Sequence, residues 1–588
     1  MISRRLNKPV FLLIILTLVS ACTAPQSSPN GNAVQVNEPV LTLTPTDVDE
    51  WGQPLNAQTV NEPVITLTPT DVVQENGEWW KTAVFYQVFV RGFYDSNGDG
   101  IGDFRGLIQK LDYLNDGNPE TATDLGVTAL WLMPIHPSPS YHGYDVTDYY
   151  NVNPDYGTMD DFRELIEAAH QRGIKVIIDL VINHTSTQHT WFKQALESES
   201  PFYDYYIWQD ENPGYSGPQG QVVWHRASNG KYYYALFWDQ MPDLNLKNPA
   251  VKEEIYQIVR FWLEDVGVDG FRLDAAKHLI EEETQQENTA LTHEWLANFY
   301  AYYKSLKPQA ITVGEVWANS FEAVRYVRNS EMDMVFNFDL ARSILSNIND
   351  RDAISLSNTL TFETRLFPTG SMGVFLTNHD QDRVMTVLMK DIDKARLAAA
   401  VYLTSPGVPF IYYGEEIGLT GQGDHRNIRT PMHWSSERMA GFTSTTPWIF
   451  PKMDYPEKNV QKQLEDPESL LRFYINLLRI RNQSDALQTG QFIPLSSSSP
   501  SILSYARVSQ NDQILILLNL GDQPQNGVTL RSPEGLKPGR YRLQPLAGRL
   551  IDAIVSVEQN GSLDDFEFPE TIAAGDVLIY QFIQIPES

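Results

Sequence analysis

Three carboxylates stand where apolar runs end: Asp274 closes Gly270-Phe-Arg-Leu-Asp274, Glu315 closes Ile311-Thr-Val-Gly-Glu315, and Asp380 closes Phe375-Leu-Thr-Asn-His-Asp380. The chain carries 74 Asp and Glu residues, so acidity alone selects nothing. Position selects. Each run reads as a buried strand, where a carboxylate is costly unless it is paired or serves a site. Two carboxyl groups flanking a bond can protonate a leaving oxygen with one and attack, or activate water, with the other, which is what cleavage of a glycosidic bond requires. Taken singly, each of the three is equally well a structural ion pair.

A second pattern has a different chemistry. Asp95-Ser-Asn97-Gly-Asp99-Gly-Ile101-Gly-Asp103 sets oxygen ligands at alternating positions, with glycines permitting a tight turn, as in the first half of an EF-hand loop. The terminal bidentate Glu of that loop is absent and Gly106 stands at its position, so this is not an EF-hand. The spacing predicts calcium held by Asp95, Asn97, Asp99, the Ile101 carbonyl and Asp103. The alternative is a solvated Asp/Asn turn.

Residues of this kind need a frame. From Trp79 onward, short β-branched and aromatic runs alternate with longer helical patterns, which predicts a parallel β/α fold. Candidate strands are Val84 to Val90, Ala129 to Pro134, Val176 to Val181, Gly270 to Leu273, Ala310 to Gly314, Met334 to Phe338, Gly373 to Leu376 and Val408 to Tyr412. Helices are expected at Met159 to Arg172, Val251 to Asp265, Leu291 to Leu306 and Asp393 to Thr404. Eight such pairs predict a closed (β/α)8 TIM barrel with its chemistry on the loops at the carboxyl ends of the strands, where the three carboxylates fall. The barrel is expected over 79–183 and 251–484, with an inserted subdomain after the third strand at 184–250. Beyond the helical Leu470 to Asn482, short alternating runs predict a C-terminal antiparallel β-sandwich at 485–588.

The 588-residue chain exceeds one hydrophobic core, and its formal net charge of -30 excludes nucleic acid as a partner while admitting a neutral substrate. Aromatics make up 11% of residues, clustered at Tyr203 to Trp208 and Tyr232 to Trp238; such rings stack on pyranoses, although most are expected to pack as core. At the N-terminus, Arg4, Arg5 and Lys8 precede an apolar run from Pro9 to Val19, too short to span a bilayer and predicted to be a removed leader, 1–21. The run ends Leu18-Val19-Ser20-Ala21-Cys22, which resembles a bacterial lipoprotein box. Cys22 is the only cysteine, so there is no intramolecular disulfide, and lipidation there predicts a membrane-anchored protein outside the cytoplasmic membrane. Residues 22–78 read as a disordered tether containing a direct repeat, Val36 to Val48 recurring as Val60 to Val72.

Four segments together carry a family resemblance: Asp179-Leu-Val-Ile-Asn183-His184, Gly270-Phe-Arg272-Leu-Asp274-Ala-Ala-Lys277-His278, Gly314-Glu315-Val-Trp317 and Phe375-Leu-Thr-Asn-His379-Asp380. In this order they resemble the short conserved regions of the α-amylase family of glycoside hydrolases, family 13, over about Ala83 to Trp434. The resemblance implies that Asp274 is the nucleophile, Glu315 the proton donor and general base, and Asp380 the carboxylate that distorts the sugar. It implies that Glu315 is held protonated while Arg272 keeps Asp274 ionised. His184 and His379 match sugar-binding histidines, Tyr144 in Tyr141-His142-Gly-Tyr144-Asp145 matches a stacking tyrosine, and Lys277 and His278 match contacts beyond the cut. Asp179 and Asn183 are expected to brace the rim. The Asp95 to Asp103 loop is similar to the calcium loop of oligo-1,6-glucosidases. A second calcium, through Asn183, Asp243 and the His278 carbonyl, is left open.

The implied activity is endo-acting, retaining hydrolysis of α-1,4 links in starch, glycogen and maltooligosaccharides by a monomeric enzyme. Met241-Pro-Asp-Leu-Asn245 resembles the group between oligo-1,6-glucosidases and neopullulanases, and Arg429-Thr-Pro-Met-His-Trp434 resembles oligo-1,6-glucosidases and trehalose synthases. An exo-acting α-glucosidase or a transglycosylase is therefore the alternative, while Lys277-His278 suits endo action. A non-catalytic surface glucan-binding protein is a more distant reading, since none of the three carboxylates is missing.

Overall fold

The computed structural model describes residues 78–119 and 121–586. The leader, Cys22 and the duplicated spacer lie outside the described residues.

Eight parallel strands, Phe85–Val88, Ala129–Leu132, Lys175–Leu180, Gly270–Leu273, Ile311–Gly314, Met334–Phe336, Met372–Val374 and Val408–Tyr412, close into a barrel in sequence order. The first and last pair directly, Phe85 opposite Phe410, with their rings stacked at 4.4 Å. Both faces of each strand are covered, which is why the strands read as unbroken apolar runs. The barrel interior is filled by Trp131, Ile177, Val313, Met334, Phe336 and Phe375 among others, so it is a packed core and not a channel.

Gly270–Leu273 and Val408–Tyr412 have the expected bounds, whereas the first strand is shorter than the run that predicts it because the polypeptide turns out at the rim: Val90–Gly92 is a 3-10 turn. The helix expected to end at Asp265 spans Pro249–Arg260 and widens into a π-helical stretch, Phe261–Val266. Gly267 stops it with φ 95°, a conformation that costs glycine little.

Between the third and fourth strands, a three-stranded antiparallel sheet places Tyr232–Tyr234 between Trp208–Gln209 and Trp224–Arg226. Tyr205, Tyr206, Tyr233 and Tyr234 are buried, whereas Phe237 and Trp238 are exposed beside the cleft. After Leu470–Asn482, a six-stranded and a three-stranded antiparallel sheet form the C-terminal layers. Arg507 Nη1 donates to the Thr404 carbonyl at 2.7 Å, tying these layers to the barrel helix Ile392–Thr404. Among the described residues no helix is long and apolar enough to cross a membrane.

Candidate active site

Register decides which side chains meet. Leu180 pairs with Leu273, and Leu273 with Gly314, so the residues that follow, Asp274 and Glu315, emerge at one height on adjacent strands. The last ladder bonds fix them: Asp274 N–H donates to Leu180 O at 3.3 Å and Glu315 N–H to Leu273 O at 3.0 Å. Ala275 then adopts φ 50°, the left-handed region that strains a side chain, and turns its amide onto Glu315 Oε2 at 3.2 Å. Strain of this kind is held where the surrounding structure over-determines it.

Arg272, 1% exposed, is the charge around which the site is built. Its Nη1 donates to Asp274 Oδ1 at 2.7 Å and to Asp179, and its Nη2 donates to Glu315 Oε2 at 2.7 Å. Asp179, fully buried, also accepts from Trp131 Nε1 at 3.1 Å, so it braces the arginine from inside the barrel and not the rim. Asn183 does brace the rim: its amide donates to Asp243 Oδ2 at 2.9 Å, joining the third strand to the inserted subdomain.

Asp179, Asp274 and Glu315 share one guanidinium. Burial pushes Asp274 well above the ordinary carboxylate range; Arg272 opposes this, and Glu315, Asp179 and Asp380 add to it. Arg272, which is expected to keep Asp274 ionised, pairs with Glu315 as well. Three carboxylates sharing one arginine favour retention of a proton within the cluster.

Asp380 differs. Burial works against its charge, but Arg429 Nη2 donates to Oδ1 at 2.8 Å and His379 Nε2 lies 3.0 Å from Oδ2, and the carboxyl is held well below its usual range. Burial lowers the pKa of His379 and Asp380 opposes that shift, while His379 and then Arg429 lower Asp380. Gln87 Nε2 lies 2.7 Å from His379 Nδ1, which leaves Nε2–H to face Asp380 and the Tyr144 hydroxyl, 2.5 Å away. The Tyr144 and His379 rings stack at 5.7 Å and 12°, forming one wall.

His184 is fully buried, is pushed down to about 3 by burial, and directs Nε2 to the Tyr144 carbonyl at 3.2 Å. It holds the tyrosine loop instead of facing open space. Lys277 pairs with Glu287 at 2.6 Å, and His278 Nδ1 lies 2.9 Å from Gln286 O, so both are tied to the following loop. Phe237 places its ring 5.6 Å from His184 and 5.7 Å from His278, spanning the two groups.

Sequence reasoning missed Gln87, Arg429 as the partner of Asp380, and the position of Asp179 inside the barrel. A lone Gln in the strand Phe85–Val88 was the available signal, since a buried amide needs a partner.

The Asp95 to Asp103 loop lies apart from this cluster. Asp95 accepts from the amides of Asn97, Gly98 and Gly100, and Asp103 accepts from Ser96 and Gly106. Gly98 and Gly100 have φ 82° and 95°, and a Cβ on Gly100 would meet Thr446 O at 2.2 Å. The donor set is all oxygen, as a hard cation prefers. Among the described residues no three Asp, Glu, His or Cys side chains converge on a metal-sized point. Coordination would therefore also need Asn97 and the Ile101 carbonyl.

The cluster can protonate a leaving group with one carboxyl and attack with another, beside a stacking wall. Comparison with known proteins agrees with that chemistry. The family model for the α-amylase catalytic domain matches residues 87–490. The chain is 44% identical over 452 residues to alpha-amylase 3 of Dictyoglomus thermophilum, covering 76% of this chain and 86% of that protein. It is 35% identical over 523 residues to an oligo-1,6-glucosidase of Parageobacillus thermoglucosidasius, covering 76% and 91%. The crystal structure of α-amylase from H. orenii superposes with a TM-score of 0.74 at 38% identity, covering 85% of this chain and 99% of that one. The chain belongs to the α-amylase family of glycoside hydrolases, family 13.

Proposed function

We propose that this chain is an endo-acting, retaining hydrolase of α-1,4-glucosidic bonds in starch, glycogen and maltooligosaccharides. The observation that carries the chemistry is the sharing of Arg272 by Asp274 and Glu315, each 2.7 Å from a different nitrogen of one guanidinium. That arrangement favours the roughly 5 Å spacing of a retaining pair over the roughly 6.5–9.5 Å of an inverting one. Glu315 gives its proton to the leaving oxygen as the C1–O bond breaks, and Asp274 forms the glycosyl ester. Glu315 then takes a proton from water, whose oxygen displaces Asp274 from C1. Asp380, held ionised by His379 and Arg429, grips sugar hydroxyls, and Tyr144 with His379 forms the wall on which the ring rests.

The 44% identity to a protein named an α-amylase supports the polymer-cleaving reading. The oligo-1,6-glucosidase relative supports a second reading, an exo-acting α-glucosidase. The same proposal includes calcium at Asp95, Asn97, Asp99, the Ile101 carbonyl and Asp103, where it would supply positive charge to an acidic turn. It also includes export and a lipid anchor on Cys22, supported by the run Leu18-Val19-Ser20-Ala21 at the end of the leader and the cysteine that follows it.

A product time course from soluble starch, maltoheptaose and isomaltotriose tests the function, with Asp274→Asn and Glu315→Gln as controls. Early loss of iodine staining with mixed α-anomeric oligosaccharides, abolished in both variants, is expected. Glucose as the sole product, or preference for isomaltotriose, establishes the exo reading instead.

A further inference from the structure

The loop after the fourth strand brings a carboxylate to the cleft that the catalytic chemistry leaves unused. Lys277 and His278 end the 3-10 turn Ala276–His278, close behind Asp274, and the His278 ring lies within reach of the Glu315 charge. The exposed Phe237 ring meets His278 edge on at 5.7 Å. Lys277 and His278 therefore border the catalytic pair on the side of Glu315.

From Leu279 the chain runs outward and returns by Thr289. Gln286, 7% exposed, is clamped to the inserted subdomain: its Oε1 accepts from the Tyr234 hydroxyl at 2.8 Å and its Nε2 donates to Ser216 O at 2.9 Å. Asn288 is clamped to the barrel. Its amide donates to Lys277 O at 2.8 Å, and its Oδ1 accepts at 2.7 Å from the hydroxyl of Tyr326, on the helix Ser320–Arg328. These bonds hold Asn288 at φ 52°, a strained value for a residue with a side chain. Glu287 stands between the two fixed residues, with Oε2 2.6 Å from Lys277 Nζ and 3.9 Å from His278 Nε2. Gln286 O can only accept, so His278 Nδ1 carries the hydrogen of their 2.9 Å bond and Nε2 is the nitrogen turned toward Glu287. The other glutamates of the loop are placed differently: Glu281 is buried, and Glu282 accepts from the Leu291 amide at 3.1 Å.

We propose that Glu287 sets specificity for the sugar on the leaving-group side of the cleft: it aims the Lys277 ammonium, and its own carboxylate, beside His278, receives hydroxyls of the glucosyl unit that departs or returns. The inference rests on the hydrolase reading and deepens it, because Glu315 protonates the departing oxygen and the departing sugar therefore lies on its side. An ammonium on a flexible stem points where its partner holds it, and a neutral pyranose supplies both donors for Glu287 and acceptors for Lys277. The same contacts bear on the second step. The glycosyl ester at Asp274 breaks when an oxygen attacks C1 and gives its proton to Glu315. A sugar hydroxyl held at Glu287 competes with water for that attack and yields a new glycosidic bond in place of a free end.

The test uses two donors with the full chain: maltoheptaose, whose leaving group is a sugar, and α-maltosyl fluoride, whose leaving group is not. Glu287→Ala is expected to lower kcat/KM about tenfold on maltoheptaose and less than about twofold on α-maltosyl fluoride. Transfer from the fluoride to added maltose, relative to its hydrolysis, should fall by a similar factor. Glu287→Gln keeps an acceptor for Lys277 and should lie between, and losses from Glu287→Ala and Lys277→Met should be less than additive. Equal losses on the two donors, or an unchanged transfer ratio, overturn the proposal and leave Glu287 as a support of the loop, with the hydrolase reading intact. If wild type cleaves no α-1,4 glucan yet transfers maltosyl units to maltose in a manner that depends on Glu287, the hydrolase reading fails and the role of Glu287 stands.

Discussion

Nη2 of Arg272 lies 2.7 Å from Glu315 Oε2, the distance at which Nη1 of the same residue meets Asp274. A planar fork can hold two carboxylates in one fixed relation, while an ammonium is a point charge on a flexible stem. Arg272→Lys is therefore expected to lower kcat on maltoheptaose about 10²–10³-fold with a smaller change in KM, since a misplaced pair mainly loses transition-state contacts. Arg272→Ala leaves buried carboxylates unpaired and should also destabilise the fold by about 3–5 kcal/mol. Steady-state kinetics and thermal unfolding separate the two effects; a Lys variant with wild-type kcat refutes the argument.

The Asp95 loop is bound to a distant segment: Thr443 Oγ1 donates to Asp95 Oδ2 and Trp448 N–H to Gly100 O at 2.9 Å. With calcium in the loop, chelation should lower the melting temperature, and calcium should restore it. No shift, with no metal found by elemental analysis, removes calcium from the proposal. Gly100→Ala should lower the melting temperature even in excess calcium, because its Cβ would sit 2.2 Å from the Thr446 carbonyl oxygen.

Glu415 gives a pH dependence of stability. It is buried, accepts from the hydroxyls of Tyr402 at 2.8 Å and Tyr474 at 2.9 Å, and burial raises it from 4.5 to about 8. Its folded value exceeds its unfolded one, so its contribution is complete below pH 4.5 and is lost as pH rises through about 8. The loss is at most roughly 1.4 kcal/mol per pH unit. Glu416, also buried, is raised in the same direction. Glu415→Gln should flatten the fall in melting temperature between those limits; a parallel curve contradicts the assignment.

Lipid attachment has its own test. Cys22→Ser should move the protein from the membrane fraction to the medium or soluble envelope fraction without changing its specific activity on starch. Persistent membrane association in that variant rules out an anchor at Cys22.

The barrel was legible because each of its strands is buried on both faces and ends in turn-forming residues, leaving unbroken runs such as Val408–Tyr412. Asp274 and Glu315 were legible because a carboxylate after such a run stands out. What register does with them was not. The sharing of Arg272 between Asp274 and Glu315 depends on pairings 41 residues apart, Leu273 with Gly314, which no local pattern encodes. The burial of His184 was hidden for a similar reason: its partner, the Tyr144 carbonyl, is a backbone atom and carries no sequence signal. Arg429 was visible as a motif, but its pairing with Asp380 depends on how a loop returns to the cleft.

The pairing of Phe85 with Phe410 sets a condition on synthesis as well as on shape. Closing the cylinder joins segments separated by most of the catalytic region, and such long-range pairing is slow. A nascent chain that ends before Val408–Tyr412 lacks the strand that seals the first to the seventh. Asp274 and Glu315 would then be synthesised long before the walls that align them exist. The polypeptide can therefore remain catalytically silent through most of its elongation, and a prematurely terminated product should not cut polysaccharide.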